Sequence, residues 1–283
     1  MLQTINGFQV LRKVAESNTA EIFHVLKLVG RGRGTELAIK MLRPEYAANP
    51  IERGFLETEH KVCATLEHPN LIRTYELQLG AKQPYLVMDY VAGLSLRQHL
   101  DKGYVSLMDG MEWLAQVCDG LGYLHERGFI HRDVKPQNFV VSGNGDTKVI
   151  DFALAVPEDR SFLQYGLRRI KERRRPGTWS YMSPEQIQNK RLSSQSDVYG
   201  LGVSIFETVT GRLPYTGETP QELLEQHVYA KVPSILSLAA SAPRELDELV
   251  RGMMAKKPLD RPHGMGYVSG KLRAIIAGGR KGK

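Results

Sequence analysis

The sequence predicts an α+β protein with two lobes, a small antiparallel β lobe first and a larger, mainly helical lobe after it. Short segments of alternating hydrophobicity fill residues 5–42. Helical patterns begin at Ile51 and again at Trp113, and the stretch from Ser196 to Phe206 is apolar nearly all round. With 283 residues, 42% of them hydrophobic, the chain is long enough for two modest lobes or one large domain with a full core.

The last of three strands predicted within residues 5–42 carries a candidate phosphate ligand. Leu37 and Ile39 share one face of this strand, so Lys40 lies on the other face, beside Ala38. A lone strand lysine is more often a solvated edge residue than a ligand. Lys40 therefore needs a partner before it indicates a binding site.

The helix predicted from Ile51 to Leu66 offers that partner. Its apolar stripe includes Glu59, at helical spacing from Phe55 and Val62. A carboxylate that faces a core is costly unless it is paired. The sequence therefore predicts an ion pair between Lys40 and Glu59.

Two short motifs near the middle of the chain carry the clearest chemistry. They are His131-Arg132-Asp133-Val134-Lys135-Pro136-Gln137-Asn138 and Asp151-Phe152-Ala153. Together they supply a proton acceptor, a cation, an amide and a carboxylate, the groups needed to move a phosphoryl group from a nucleotide to a hydroxyl. An ordinary polar hairpin end would explain Asn138 or Asp151 taken singly, but not the whole set.

The spacing of the two motifs predicts a shared metal site. Residues 139–142 and 147–150 form two predicted strands, joined by a two-residue turn at Asn144-Gly145. In that register Asn138 faces Asp151, with backbones about 5 Å apart. Their side-chain oxygens could then hold one Mg²⁺, which prefers oxygen ligands together with nucleotide phosphates.

The charge of the chain is basic and partly local. The net charge is +7, and Arg168–Arg175 holds six basic residues around one acid, Glu172. This run is consistent with a solvated loop, with a docking patch for an acidic substrate or partner, or with binding to nucleic acid or an anionic membrane. The run contains no aromatic residue that could stack on bases. Binding to nucleic acid or to an anionic membrane is therefore the least favoured of the three interpretations.

Targeting signals and cysteine chemistry are not evident in the sequence. There is no apolar run of about 18 residues and no signal-peptide pattern, so we expect a soluble, cytoplasmic protein. Cys63 and Cys118 lie in apolar helical segments, where packing thiols are expected rather than a disulfide or metal ligands. The oligomeric state is not predicted.

Over essentially its whole length the chain resembles the eukaryotic-type protein serine/threonine kinases in their bacterial form. The matching segments are Leu37-Ala38-Ile39-Lys40, His68-Pro69-Asn70-Leu71 and the strand and hinge from Pro84 to Gly93. The resemblance implies a bilobal kinase-like fold, with an N-lobe at 1–88, a hinge at 89–93, a C-lobe at 94–276 and a basic tail at 277–283.

The resemblance also implies ATP and Mg²⁺ as cofactors and the hydroxyl of a protein Ser or Thr as acceptor. Asp133 would accept or orient the hydroxyl proton, and Lys135 would stabilise the transferring group. The implied catalytic and metal-binding residues are Lys40, Glu59, Asp133, Lys135, Asn138 and Asp151. The nucleotide would lie between the lobes, in contact with Val14, Ala15, Ser17, Ala20, Ile22, Ala38, Met88 and the backbone of Asp89 and Val91.

The segment Gly177–Glu185 resembles the one that receives the substrate backbone in this family, with Thr178 against the catalytic loop, residues 131–138. Asp197 is implied to accept backbone hydrogen bonds from that loop. Arg261 is implied to form a buried, bidentate pair with Glu185. Both of these roles are structural.

Three departures from the family pattern bear on activity. Ala15, Ser17 and Ala20 stand where the phosphate-covering loop normally has glycines, which predicts a stiffer lid. Ala153 replaces the glycine after Asp-Phe, which predicts a segment biased toward one state. The activation segment lacks Ser and Thr over 162–177, and the hypothesis is that Glu172 replaces a phosphate on Arg132. A nucleotide-binding pseudokinase is the alternative to a slow kinase.

Overall fold

The structure is a computed structural model, and it describes residues 4–27, 34–103, 105–159 and 179–281. The strands in this part of the chain are β1 Thr4–Ile5, β2 Phe8–Glu16, β3 Ala20–Lys27, β4 Thr35–Leu42, β5 Thr74–Gln78, β6 Tyr85–Asp89, β7 Gly93–Ser95, β8 Phe129–Ile130, β9 Phe139–Ser142, β10 Thr147–Val149 and β11 Val156–Pro157. The helices are α1 Pro50–Cys63, α2 Leu96–Asp101, α3 Leu107–Glu126, α4 Pro184–Ile187, α5 Ser194–Thr210, α6 Pro220–Tyr229, α7 Arg244–Met253 and α8 Met265–Lys281.

These elements divide into two compact units. The first comprises Met1–Glu67, Leu71–Ala92 and Phe152–Leu154, and the second comprises His68–Asn70, Gly93–Asp151 and Ala155–Lys283. Helix α8 continues to Lys281, so much of the predicted basic tail is helical. No helix in the described ranges is both long and apolar enough to span a bilayer.

The first unit is built on a six-stranded sheet in the order β1-β2-β3-β4-β6-β5, with every neighbouring pair antiparallel. Alternation along β4 explains its two layers. Leu37 and Ile39 pack into one cluster with Phe8 and Val25, whereas Leu42 packs on the other face with Leu56 of α1. The alternation predicted for this strand is therefore confirmed.

Helix α1 begins where the sequence favours a start and ends earlier than predicted. The Asn49 side chain accepts hydrogen bonds from the amides of Ile51 and Glu52, and Pro50 occupies the first turn. The helix ends at Cys63 rather than at Leu66. The next residues form tighter turns, in which Leu66 N–H donates to the carbonyl of Cys63 at 3.3 Å.

The second unit is organised around α3 and α5. Helix α3 begins at Leu107, six residues before the predicted start at Trp113, with Ser106 as its N-cap, and Gly128 follows the helix at φ 76°. Helix α5 is buried on all sides from Ser196 to Thr208, and it ends at Gly211 in the left-handed conformation. The prediction of a central buried helix is confirmed.

The hairpin between β9 and β10 has a different register from the predicted one. Phe139 pairs with Val149, so the loop contains three residues and Asn138 lies opposite Ile150 rather than Asp151. Gly145 alone in this loop has positive φ, at 87°. A three-residue loop needs a left-handed residue only at its last position, whereas a two-residue type I′ turn would need Asn144 there as well.

Candidate active site

The predicted ion pair in the first unit is present. Lys40 Nζ on β4 lies 2.6 Å from Glu59 Oε2 on α1. The Glu59 side chain is 1% exposed and that of Lys40 is 11% exposed, so little solvent screens the two charges. The pair therefore fixes the direction in which the lysine projects from the sheet.

The segment predicted to cover phosphates, here named the phosphate loop, is a hairpin turn between β2 and β3. Ala15 lies in β2 opposite Ile22, Ser17 is in the turn and Ala20 begins β3. Val14, at the end of β2, is partly buried. None of these residues has positive φ in the structure, because the turn takes a path that needs no glycine.

The strand that leads to the predicted hinge is buried and held from two sides. Met88 is 7% exposed and pairs with Ala38 across β4 and β6. The Asp89 carboxylate accepts hydrogen bonds from the Tyr75 hydroxyl at 2.5 Å and from an amide of the preceding segment. Burial, followed by this hydrogen bond, raises the pKa of Tyr75 to about 12. Val91 follows at the end of the first unit.

Sequence reasoning missed a second contact of this hinge. The Tyr90 ring stacks on the His24 ring with centroids 3.5 Å apart, and Arg12 Nη2 donates to the Tyr90 hydroxyl at 2.7 Å. His24 Nε2 in turn lies 3.0 Å from Glu36. No single-strand pattern marks these contacts, because the residues come from separate strands.

The catalytic loop is held by a buried carboxylate on α5. Asp197 accepts the backbone N–H groups of His131 and Arg132, each at 2.8 Å, and the His125 ring at 2.8 Å. Arg132 has φ 70°, a left-handed conformation that costs about 1–3 kcal/mol and persists where its surroundings over-determine it. The backbone hydrogen bonds implied for Asp197 are present.

Opposing effects set the ionisation of Asp197. Burial alone would raise its pKa, but the hydrogen bond and charge of His125 and the hydrogen bond from His131 lower the pKa below its ordinary value. The carboxylate thus stays charged inside the protein. A charged acceptor forms stronger hydrogen bonds to the loop than a neutral one.

Within the loop, three predicted catalytic groups converge. Asp133 Oδ2 lies 2.8 Å from Lys135 Nζ and accepts a hydrogen bond from Asn138 Nδ2 at 3.1 Å. The same nitrogen donates to the Asp133 carbonyl at 2.8 Å. Both side-chain contacts therefore fall on the same carboxylate oxygen, Oδ2 of Asp133.

The His131 ring, whose role the sequence did not specify, bridges the two motifs. Its Nδ1 accepts the Asp133 N–H at 3.2 Å, and its Nε2 lies 3.2 Å from the carbonyl of Ile150. With Nε2 as the donor, the neutral ring satisfies both contacts. Through the His131 ring, Ile150, which precedes Asp151, is therefore linked to the catalytic loop.

The predicted Mg²⁺ ligands have suitable chemistry. Asn138 commits its amide nitrogen to Asp133, which directs its amide oxygen elsewhere, and Asp151 follows the hairpin with φ 63°. The N–H of Ile150 donates to the Asn138 carbonyl at 2.9 Å. No group of three His, Cys, Asp or Glu side chains suited to a metal occurs in the described ranges.

The segment that begins at Trp179 is anchored by buried contacts. Arg261 forms the implied bidentate pair with Glu185, at 2.7 and 2.9 Å, and both residues are at least 95% buried. Gln186 Nε2 donates to the Arg132 carbonyl at 3.0 Å. On α5, a side chain at Gly200 would meet the Val134 carbonyl at 3.0 Å, so glycine permits close packing against the catalytic loop.

Several predictions fall outside the described residues. They concern Thr178, Glu172 and the run Arg168–Arg175.

The cysteine prediction is confirmed, because Cys63 and Cys118 are both buried and form no disulfide. Burial raises the pKa of the Cys118 thiol, which keeps it protonated and inert.

Comparison with known proteins agrees with this geometry. The model of the family described as protein kinase domain matches residues 11–269. The chain belongs to this family. It is 28% identical to the serine/threonine-protein kinase PrkC of Bacillus subtilis over 90% of the chain and 38% of PrkC. It is 34% identical to PknB of Mycolicibacterium smegmatis over 80% of the chain and 36% of that relative.

The kinase fold is also shared with a solved structure. The kinase domain of Mycobacterium tuberculosis PknI, as a double mutant, superposes with a TM-score of 0.72 at 22% identity and covers 97% of this chain and 98% of that one. The chain spans a little over a third of the length of the curated relatives. These relatives are named serine/threonine kinases, so they support a bacterial, eukaryotic-type kinase domain and give the pseudokinase alternative no support.

Proposed function

We propose that this chain transfers the γ-phosphoryl group of ATP to Ser and Thr hydroxyls of protein substrates, with Mg²⁺ as metal cofactor. The observation that carries the proposal is the cluster of Asp133, Lys135 and Asn138 around one carboxylate oxygen. The family membership of the chain supports the same reaction. A cytoplasmic location, where ATP and protein acceptors are available, belongs to this proposal.

Each group has a role that follows from its charge and contacts. Asp133 accepts the hydroxyl proton on Oδ1, while Lys135 and Asn138 hold Oδ2. Lys135 also offsets charge on the transferring group. Lys40, oriented by Glu59, binds phosphate oxygens.

Cofactor binding divides between side chains and backbone. Asn138 and Asp151 would hold Mg²⁺, which when bound offsets negative charge on the phosphates. Adenine would be bound by backbone groups of Asp89 and Val91, with Met88 behind it. The phosphate loop and the faces of β3 and β4 would contribute Val14, Ala15, Ser17, Ala20, Ile22 and Ala38.

The decisive experiment is autophosphorylation read by mass spectrometry. Wild type incubated with ATP and Mg²⁺ is expected to gain phosphate on Ser or Thr, whereas Asp133→Asn loses about 10²–10⁴ in rate because general base catalysis contributes that factor. Asp146→Asn, at an exposed loop position, is the matched control. Equal rates for wild type and Asp133→Asn would contradict the proposal.

Regulation through Arg132 extends the same proposal. Burial lowers the pKa of Arg132 to about 10, and in the described part of the chain its Nε has no hydrogen-bond partner. A desolvated guanidinium with unmet hydrogen-bonding capacity favours a nearby anion. We propose that the Glu172 carboxylate serves there in place of a phosphate.

Glu172→Ala should then lower turnover without affecting stability, measured as the melting temperature. Asp159→Ala is the control, as another acid of the same segment. Unchanged turnover in Glu172→Ala would contradict this role.

We also propose an acidic docking partner for Arg168–Arg175. Added salt should then raise KM more for an acidic peptide than for a neutral one.

A further inference from the structure

The turn of the phosphate loop, residues 17–20, is closed by a side chain. Ser17 N–H donates to the Ala20 carbonyl at 2.7 Å. The amides of Ala20 and Thr19 donate to the Ser17 hydroxyl oxygen, at 3.0 and 3.4 Å. Two amides at the tip of a loop expected to cover phosphates are therefore bonded to the loop's own serine.

One arginine, just after the end of β4, holds this turn from outside. Arg43 Nε donates to the Ser17 carbonyl at 2.9 Å, and its own N–H donates to the Thr19 carbonyl at 2.9 Å. Its Nη2 lies 3.1 Å from Glu16. Arg43 lies three residues after Lys40, so the phosphate lysine and the clamp on the loop share one chain segment.

The turn begins next to a negative charge, that of Glu16, and Arg43 is one of two cations that neutralise it. Glu16 is a carboxylate in a loop expected to lie near phosphates, where an unpaired negative charge would repel them. Lys13 Nζ lies 2.7 Å from it, and the hydrogen bond from Lys13, followed by smaller effects of Arg43, lowers its pKa. Glu16 is thus ionised, and two cations neutralise it.

We propose that Arg43 and Ser17 are positioning residues for ATP, which hold the phosphate loop as a pre-formed turn in place of the usual glycines. In this arrangement the amides of Thr19 and Ala20 stay on Ser17 when nucleotide binds. The inference rests on the proposed function, since it requires ATP at this loop. A turn fixed in advance costs less conformational entropy on binding than a mobile glycine loop.

The test measures the Kd of Mg-ATP by calorimetry, KM and kcat, and amide hydrogen exchange of the peptide that covers residues 13–22. Arg43→Ala should raise Kd and KM about tenfold, as expected for lost charge-assisted hydrogen bonds, with kcat within about twofold. Exchange at residues 19 and 20 should become faster. Ser17→Ala should act in the same direction, and the double variant should be less than additive.

Arg53→Ala is the matched control. Arg53 also donates to two backbone carbonyls of the first unit, those of Ala47 and Leu79, but away from the turn. It should leave Kd and exchange at residues 19 and 20 as in wild type. Arg43→Lys, which keeps the charge beside Glu16 but not the planar fork, should fall between wild type and Arg43→Ala.

The outcomes separate this inference from the proposed function. Wild-type Kd in Arg43→Ala, or tighter binding in Ser17→Ala, would overturn the inference, because the turn would then be irrelevant or opened by nucleotide. If wild type binds Mg-ATP without transferring phosphate, the proposed function fails, but Kd and exchange still decide the role of the turn. A wild-type protein that does not bind Mg-ATP overturns the inference as well.

Discussion

The catalytic loop and the phosphate loop are both short irregular segments, but different forces hold them. The catalytic loop is held by hydrogen bonds to Asp197, whose side chain is 1% exposed. The phosphate turn is held by Arg43 and Glu16, whose side chains are 29% and 53% exposed. Buried charged hydrogen bonds are strong and intolerant of loss, whereas exposed ones are weak and screened. The catalytic loop therefore depends on one buried carboxylate, whereas the phosphate turn depends on several individually weaker contacts.

The largest effect should follow from removal of the buried anchor. Asp197→Asn replaces a charged acceptor of two loop amides with a neutral amide, whose NH₂ group would face buried N–H donors. The free energy of unfolding should therefore fall by about 3–5 kcal/mol. Turnover should fall with it. Urea unfolding and autophosphorylation measure the two effects.

Asp119→Asn is the control for that substitution. Asp119 pairs with Arg273 at 2.5 Å, but with side chains 29% and 53% exposed. A loss of about 1 kcal/mol or less is expected there. Equal losses in the two variants would erase the distinction between buried and exposed anchors.

The Lys40–Glu59 pair tests the same distinction within the first unit. Lys40→Met leaves Glu59 buried without this cation and should cost about 3 kcal/mol of unfolding free energy, more than Glu59→Gln costs. Both variants should lose turnover. The double variant Lys40→Met/Glu59→Leu should recover stability without recovering turnover, as measured by urea unfolding and phosphate incorporation. Recovery of both would show that the pair serves the fold alone.

The pH dependence of stability should separate Asp197 from Glu16. The folded-state pKa of Asp197 lies below its ordinary value of 3.8, so its stabilisation is complete above that pH and is lost as pH falls through the folded value. Unfolding titrations from pH 7 down to the acid limit should show a smaller loss in Asp197→Asn than in wild type. Glu16→Gln should follow the wild-type curve, since solvent screens this fully exposed group. Parallel curves for all three proteins would refute this.

The smallest effect is expected at Ala153, which is 3% exposed. Ala153→Gly should lower the unfolding free energy by about 0.4–1 kcal/mol through added freedom of the unfolded chain. Ala155→Gly, equally buried, should do the same. Only Ala153→Gly should change turnover, by a few-fold, if the residue after Asp-Phe restricts that segment. Identical turnover in both variants would leave Ala153 with a packing role only.

Local patterns predicted much of the molecule and failed at contacts between distant segments. The stripe on α1 predicted the Lys40–Glu59 pair because burial of a carboxylate demands a partner. The predicted hairpin register was wrong because Asn144-Gly145 suits both a two-residue turn and the end of a three-residue loop, and the two differ in backbone geometry, where Gly145 alone has positive φ. The role of Arg43 could not be predicted from the sequence. Its partners lie in the turn between β2 and β3, far away along the chain, and are mostly backbone carbonyls, which every residue carries.

The Ser17 turn also has a consequence for small-molecule recognition. If ATP binds at this loop as proposed, a compound that competes with it meets the same turn. A turn already closed by a hydroxyl and an arginine offers a surface of fixed shape, so complementary rigid compounds should associate quickly, and compounds that depend on loop collapse should bind poorly. Selectivity at this site would then reside in molecular shape rather than in adaptability.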